Sequence, residues 1–351
     1  MIDFHVIYTP GTVDQLLPFA VTLLQAEAAR FTLVDNGCSP AETECLRRLA
    51  ATDGRFSYLR LPGERMQRHG DALRFLVSRS EDRWFATLDS DIIASGDFLA
   101  GLDLPGRGCA GVFTAPPVWL LPGSARATRS SPFLGGPVNE LPDETVVGAT
   151  AAAIYDRERL LGAMSRLPSG LLNGSSRCVL PPGMDVELRA RDWYFRRFGT
   201  ARVAHLRLLL DGHSLCNIDL DCLHHIGGVS HRDEQRRVPL KKRLRRFTDR
   251  MLHGEHAPLV NLAINSRTVL QHRSAEQESQ EAVRRVVTSH VLELMTKLRE
   301  GGPIPVVPDT GDQVVNERLM ALCQALGELY PAAYRRVDEL CTSDVGGSST
   351  N

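Results

Sequence analysis

The sequence predicts an α/β protein, a mostly parallel sheet with flanking helices, followed by a helical C-terminal extension. Three observations carry this. Over the first hundred residues, short apolar runs rich in Val, Ile, Phe and Thr alternate with segments of helical period. Two of those runs end directly in acidic residues, Asp35 and Asp89. Past about Leu240 the strand pattern gives way to apolar residues at helical spacing. The 351 residues include 41 basic and 42 acidic side chains, a net charge of -1, with 43% apolar. That balance is ordinary globular usage and argues against disorder, a disulfide-stapled miniprotein and a nucleic-acid partner. No basic stretch followed by an apolar one opens the chain, and nowhere do about 18 apolar residues run together. The expectation is a cytoplasmic protein without a membrane span. The eight cysteines contain no C-x-x-C pair and predict reduced thiols, mostly core filler.

Taken in order, Phe4 to Tyr8 reads as a strand and Thr9-Pro10-Gly11-Thr12 as a loop whose hydroxyl caps a helix with Leu16, Leu17, Ala20, Leu23 and Leu24 on one face. Phe31 to Val34 is a strand ending in Asp35-Asn36-Gly37, and Pro40 opens the next helix. A third strand, Phe56 to Leu61, precedes a helix from about Gly70. Trp84 to Leu88 runs straight into Asp89-Ser90-Asp91. Sheets built this way bind ligands at the carboxyl ends of their strands, where Asp35 and Asp89 sit. From Pro116 to Glu144 the pattern breaks into a proline-rich loop, the length and composition of a functional segment. Val146 to Tyr155 predicts a strand, Arg159 to Met164 a helix, Met184 onward a helix ending near Phe198-Gly199, and Val203 to Leu210 a strand. Val283, Val287, Val291, Leu294 and Leu298 share one helical face, and Leu319, Leu322, Leu326 and Leu329 another before Pro331.

The chemistry centres on Asp89-Ser90-Asp91. Two carboxylates in a turn after a strand place one oxygen toward a charged ligand and another toward a divalent ion. By spacing alone an Asx turn explains the triplet as well. Context decides. Val6 to Pro10, Leu33 to Ser39, His69-Gly70-Asp71-Ala72-Leu73 and Ala86 to Asp91, in that order and spacing, resemble the nucleotide-binding half of GT-A fold glycosyltransferases, especially the family 2 type. The resemblance covers the first third of the chain. It implies that Thr9, Pro10, Asp35, Asn36, His69, Asp89 and Ser90 surround a nucleoside diphosphate sugar, with Asp89 toward the ribose and Asp91 on Mn2+ or Mg2+. The family usually shows an acidic pair followed by Gly-Ser where this chain has Asn36 and an intervening Cys38, and often Asn where it has His69.

The same resemblance extends downstream. Val147 to Ala151 and Tyr155 to Glu158 look like the elements bordering an acceptor pocket. Asp185-Val186-Glu187-Leu188 resembles the motif that supplies the base of inverting enzymes, with Asp185 in that role and Glu187 as substitute; the alternative is that both acids favour a helix N-terminus. His224-His225-Ile226-Gly227-Gly228 resembles the segment that returns a histidine to the metal, assigned to His225. The implied organisation is a GT-A catalytic domain over residues 1–235, with a nucleotide-binding half 1–102 and an acceptor half 103–235, a helical region 236–342 and a flexible tail 343–351. The implied activity is metal-dependent, inverting transfer of a sugar to an unidentified acceptor hydroxyl. The rivals are a nucleotidyltransferase and a noncatalytic nucleotide or sugar binder. Cys216, Cys222, His213, His224 and His225 offer a competing zinc set, though at no compact zinc-finger spacing. Leu240, Leu244, Phe247 and Met251 beside Lys241 to Arg246 fit either a packed helix with a solvated basic face or peripheral contact over 240–251 with anionic lipid. The C-terminal helices suit the acceptor side or a homo-oligomer interface. Trp119, Trp193 and Tyr194 offer apolar faces to a sugar ring, although core packing is the commoner use of such residues.

Overall fold

The computed structural model describes residues 1–100, 102, 104, 109–114, 133–134, 138–218, 220, 222–226 and 275–342. The strands β1 (Ile2–Tyr8), β2 (Ala29–Asp35), β3 (Phe56–Arg60) and β4 (Trp84–Asp89) are joined by the helices α1 (Val13–Leu23), α2 (Pro40–Thr52) and α3 (His69–Arg79). A short β5 (Ile92–Ala94) follows, then β6 (Cys109–Thr114), β7 (Phe133–Leu134), β8 (Val138–Glu140), β9 (Val146–Gly148) and β10 (Ala152–Asp156). Helix α4 (Arg157–Ser165), β11 (Gly174–Ser175), α5 (Ser176–Val179), α6 (Met184–Ala190), β12 (Arg197–Phe198) and α7 (Arg202–Leu210) lead to β13 (Ser214–Asn217) and β14 (Leu223–His225). Two long helices, α8 (Ala275–Glu300) and α9 (Gln313–Thr342), close the chain.

The central sheet has seven strands in the order β13-β6-β10-β4-β1-β2-β3. Strands β1 to β4, β6 and β13 point one way, and β10 alone lies antiparallel between β4 and β6. After β3 the chain returns to pair β4 with the other side of β1, so the winding reverses between β1 and β4. The crevice at such a reversal, outside the carboxyl ends of the strands, is where open α/β sheets hold ligands. It is flanked by Thr9 and Asp89.

Local sequence explains the elements around it. Ser39 accepts the Glu42 amide and Glu42 reaches back to the Ser39 amide, a capping box with Pro40 in the first turn. Gly37 is left-handed, with φ of +82°, and a Cβ there would sit 2.8 Å from the Met66 nitrogen. Only glycine lets the turn after β2 lie against the segment that enters α3.

Each face of the sheet has its own core. On one, Phe4, Val6, Phe31, Leu88 and Ile154 meet α1, α2 and the inner faces of α8 and α9, with Val287, Val291, Leu294, Leu319, Leu322 and Leu326 buried among them. The C-terminal apolar stripes expected at the acceptor side or at an interface between copies are therefore covered by the chain's own α1 and α2. Arg299 donates to the Tyr330 hydroxyl and to the Asp14 carbonyl, fixing the pair to α1. Cys45 and Cys341 are joined in a disulfide between α2 and the end of α9, which corrects the expectation of reduced thiols at these two positions. Their sequence separation of 296 hides a pair whose Cα atoms the fold brings to 5.3 Å. On the other face, Val34, Phe85, Phe113, Ala153 and Tyr155 pack against α3, α4, α6 and α7.

Four expected elements differ. The single strand expected over Val146 to Tyr155 is two, β9 and β10, interrupted at 149–151 and lying in different sheets. The segment from Val203 is a helix rather than a strand: Val203, Ala204, His205, Leu206 and Leu208 are all buried, so no polar face marks its period. The helix from Met184 stops at Ala190, and Phe198 lies in a short strand. Helix α9 continues through Pro331 to Thr342. The proline-rich loop, except for β7, β8 and the turn at 141–144, lies outside the described residues, as do the basic segment 240–251, Trp119 and the tail 343–351. Among the described residues no helix is long and apolar enough to cross a membrane.

Two consequences are measurable. A Cβ on Gly148 would land on Cβ and Cγ of Phe113. Gly148→Ala is expected to cost about 3 kcal/mol through overpacking, read as a lower denaturant midpoint at unchanged slope. His205 is fully enclosed, its Nε2 paired with the Tyr155 hydroxyl at 3.0 Å. Burial, reinforced by the Arg202 cation, holds it well below the ordinary histidine value of 6.5, and burial also lowers His5 against the opposing pull of Asp3. The unfolded chain then takes up protons that the folded one refuses, so stability is whole above the ordinary histidine range and falls as pH drops through it. Each histidine contributes a slope of up to about 1.4 kcal/mol per pH unit. Guanidinium unfolding at pH 7 and pH 5 is expected to show this loss, with a shallower slope in His205→Gln.

Candidate functional site

Strand β4 delivers Asp89 to the carboxyl edge of the sheet, its amide held by the Ala151 carbonyl at 2.7 Å. The chain turns through Ser90 and Asp91 into β5, which pairs antiparallel with β14 so that Ile92 faces His225 and Ile93 faces His224. The Ile226 amide donates to the Asp91 carbonyl at 3.0 Å, closing the ribbon. Alternation along β14 then sends the two histidines opposite ways. His224 pairs with the Ser95 hydroxyl at 3.0 Å, while His225 Nε2 comes to 3.0 Å from Asp91 Oδ1 and 3.6 Å from Asp89 Oδ2.

Asp89, Asp91 and His225 thus place one ligand atom each within 4.8 Å of one another, the one such group among the described residues. Burial works against a charged His225, but the carboxylates of Asp91 and Asp89 overcome it and raise the imidazole to about 9. Two carboxylate oxygens and one imidazole nitrogen are a hard-to-borderline donor set, suited to Mn2+ or Mg2+, and three protein ligands leave coordination positions for other oxygens. The residues present fit the ion the sequence implied. The competing zinc set does not assemble among the described residues. Cys216 lies 3.4 Å from Cys109, His224 is on Ser95 and His225 faces the carboxylates.

The other expected nucleotide residues surround the crevice in different states. Thr9 and Pro10 form the turn after β1, where the Thr9 carbonyl accepts the Thr12 amide and hydroxyl. Glu42 bridges from α2, accepting the Gly11 amide at 2.7 Å and the Ser39 amide at 2.9 Å. Asn36 is buried and locks the segment before α3, accepting the Gln67 amide at 2.7 Å and donating to the Gln67 carbonyl at 3.0 Å. His69 is the first residue of α3 and half-buried, and Ser90 is buried between the two aspartates.

Asp35 is at the expected strand end but fully buried. Its oxygens accept the Cys38 amide at 2.8 Å, the Thr43 hydroxyl at 2.6 Å and the Tyr58 hydroxyl at 2.9 Å, with Arg60 at 3.5 Å. Burial alone would raise its carboxyl, yet these donors and the Arg60 charge bring it below the usual carboxylate range. In this arrangement Asp35 shapes the turn after β2.

Asp185 and Glu187 lie in the first turn of α6, which Met184 and Leu188 anchor in the second core. Asp185 is half-buried, and Glu187 is exposed and 4.0 Å from Arg207. A residue that sequence reasoning missed is Arg202, only 2% exposed, whose Nη1 donates to the carbonyls of Val147, at 2.7 Å, and Gly148. It braces the strand that leads to Ala151 and so to the Asp89 amide. No motif announces it, because the carbonyls it holds have no sequence signature.

No family model and no curated protein sequence matches the chain. Among solved structures it is similar to a mannosyltransferase from Pyrobaculum calidifontis in complex with GDP-Man and Mn2+, at 11% identity over 99% of this chain and 76% of that one, with a TM-score of 0.41. It is similar to the galactosyltransferase LgtC in complex with donor and acceptor sugar analogues, at 11% identity over 65% of this chain and 88% of that one, TM-score 0.39. A putative glucose-1-phosphate thymidylyltransferase from Bacillus anthracis stands beside them, at 12% identity over 67% of this chain and 93% of that one, TM-score 0.38. Likeness at this level carries no argument about chemistry, which rests on the side chains gathered at the end of β4.

Proposed function

We propose that this protein is a metal-dependent glycosyltransferase that moves a sugar from a nucleoside diphosphate sugar to an acceptor hydroxyl with inversion. The observation that carries the reading is the meeting of Asp89, Asp91 and His225 at the reversal of the sheet winding. Mn2+ or Mg2+ held there neutralises the negative charge that develops on the departing diphosphate. Asp91, Asp89 and His225 would hold the ion, and Asp89 would also face the ribose. Thr9, Pro10, Asn36, His69 and Ser90 frame the nucleotide, and Asp35 keeps the turn after β2 in shape. Asp185 takes the proton from the acceptor hydroxyl as it attacks the face opposite the leaving group, with Glu187 as the substitute base.

A nucleotidyltransferase would hold a triphosphate on the turn after β1. In this chain that turn has no Lys or Arg, and its Gly11 amide is engaged by the Glu42 carboxylate, which places negative charge where phosphate would sit. The test is a melting-temperature screen of UDP, GDP, dTDP and CDP sugars with Mn2+ or Mg2+, since a ligand of the native state raises the midpoint. One donor is expected to raise it only with metal, and that donor to support transfer or slow hydrolysis. Pyrophosphate release from a nucleoside triphosphate and a sugar phosphate would establish the rival instead. Affinity without turnover on any acceptor would mark a binder.

A further inference from the structure

Between residues 177 and 197 the chain carries five arginines, three acids and no lysine. Arg177, Arg189, Arg191, Arg196 and Arg197 are all exposed. Among the described residues none of the five is in an ion pair, whereas Arg166 and Arg207, on either side of the segment, both pair with Asp211. The fold draws this charge together. The Arg189 guanidinium carbon lies 3.6 Å from the centre of the Tyr194 ring. The Tyr194 hydroxyl is 2.9 Å from that of Ser176, and the Ser176 amide donates to the Arg196 carbonyl at 2.9 Å. Arg177 is the next residue after Ser176, and Arg197 pairs with Ser175 across β11 and β12. Asp192 makes the arrangement possible with a left-handed φ of +57°, uncommon for a residue other than glycine. Its turn returns the Trp193 amide to the Leu188 carbonyl at 2.7 Å and brings Tyr194 against Arg189.

A guanidinium fixed on a ring keeps its N–H fork in one orientation, and that fork matches the paired oxygens of a carboxylate or sulfate. The cation also covers the ring face that Tyr194 would offer to a sugar, so this surface recognises charge rather than a ring. Its position suits an acceptor. Arg189 follows Asp185 by one helical turn, so the two share a face of α6 about 6 Å apart. The segment is seated at the carboxyl side of the sheet. The Leu171 carbonyl accepts the Ala201 amide at 2.9 Å and would lie 2.5 Å from a Cβ on Gly70. Both ends of the segment therefore meet at the first turn of α3, which His69 opens.

We infer that this surface binds an acidic saccharide, the acceptor of the proposed transfer, with its anionic groups on Arg189, Arg177 and Arg196 and its reacting hydroxyl toward Asp185. The role as acceptor rests on the transferase reading; the binding of the acidic saccharide does not. The probes are an oligogalacturonate, its neutral methyl ester of the same length, a sulfated oligosaccharide and single-stranded DNA of equal charge, each titrated into the full chain without metal or nucleotide. The oligogalacturonate or the sulfated oligosaccharide is expected to bind, the one that binds identifying the anion, and to weaken at high salt. The neutral ester is expected to bind at least about tenfold more weakly, and Arg189→Ala and Arg196→Ala each to lower the affinity of the acidic saccharide about tenfold. Arg189→Lys, which keeps the charge and loses the fork, is expected to recover only part of it. All three positions are exposed or replaced on the surface, and an unchanged melting temperature verifies that the variants fold. Equal binding of the neutral ester, or full binding by both alanine variants, overturns the inference. DNA bound more tightly than either acidic saccharide overturns it in favour of a nucleic-acid surface. No saccharide bound, alongside an intact metal-dependent donor shift, overturns the inference and leaves the transferase reading standing. Acidic saccharide binding that Arg189→Ala removes, in a protein with no metal-dependent donor binding, overturns the transferase reading and keeps the surface.

Discussion

Asp91→Ala is expected to erase the metal-dependent part of the donor-induced rise in melting temperature and to lower transfer by at least about a thousandfold, the several kcal/mol that a bound cation contributes to a departing diphosphate. The side chain is 7% exposed and is the nearer carboxylate to His225, at 3.0 Å against 3.6 Å for Asp89. Its removal takes away one of three ligand atoms and leaves the imidazole with the more exposed partner. Asp91→Asn separates charge from shape: the amide retains a hydrogen-bonding oxygen of the same size but lacks the negative charge that draws in the cation. Titration of Mn2+ into the variants, followed by calorimetry, measures the loss. An undiminished affinity in both would remove the metal from this site and with it the proposed activity.

The second large effect concerns the proposed base. Asp185→Asn is expected to leave the donor shift within error of the parent while transfer falls by about a hundredfold to ten-thousandfold, the range lost with a positioned general base. Binding and chemistry separate because Asp185 sits on α6, anchored in the core beneath the opposite face from α1 and α2, and contributes nothing to the ribbon that carries His225. Glu187→Gln is expected to matter less, since Glu187 is exposed and directed toward Arg207 at 4.0 Å. Rates measured with saturating donor and varied acceptor decide between them. Full transfer by Asp185→Asn together with a collapse in Glu187→Gln would exchange the two roles.

Much of the fold was legible because local signals agreed with one another. The first four strands alternate with helices whose apolar faces keep a helical period, and α2 adds a capping box with Pro40 in its first turn, whereas the Thr12 hydroxyl expected to cap α1 donates to the Thr9 carbonyl instead. The misread segment is instructive. Helix α7 buries the polar Arg202 and His205 together with Val203, Ala204, Leu206 and Leu208, so its polar residues do not gather on one solvent face and no helical period can be read from them. Pro331 looked like a stop, yet a helix whose neighbours Leu326, Tyr330 and Ala333 are buried against other elements continues through it. The disulfide between Cys45 and Cys341 was invisible for another reason, since pairing depends on where two distant helices lie and not on spacing.

The sequence by itself determined the carboxyl-edge placement of Asp35 and of Asp89-Ser90-Asp91, because a strand's end and the turn that follows it are written in adjacent residues. Only the tertiary structure decided which groups share a point in space. It carried His225 across the β5 and β14 ribbon to the two aspartates, turned its neighbour His224 away to Ser95, and enclosed Asp35 among Thr43, Tyr58 and the Cys38 amide. Strand pairing between segments far apart in the chain fixes such meetings to within an ångström or so, and a one-residue slip in that register would exchange the two histidines.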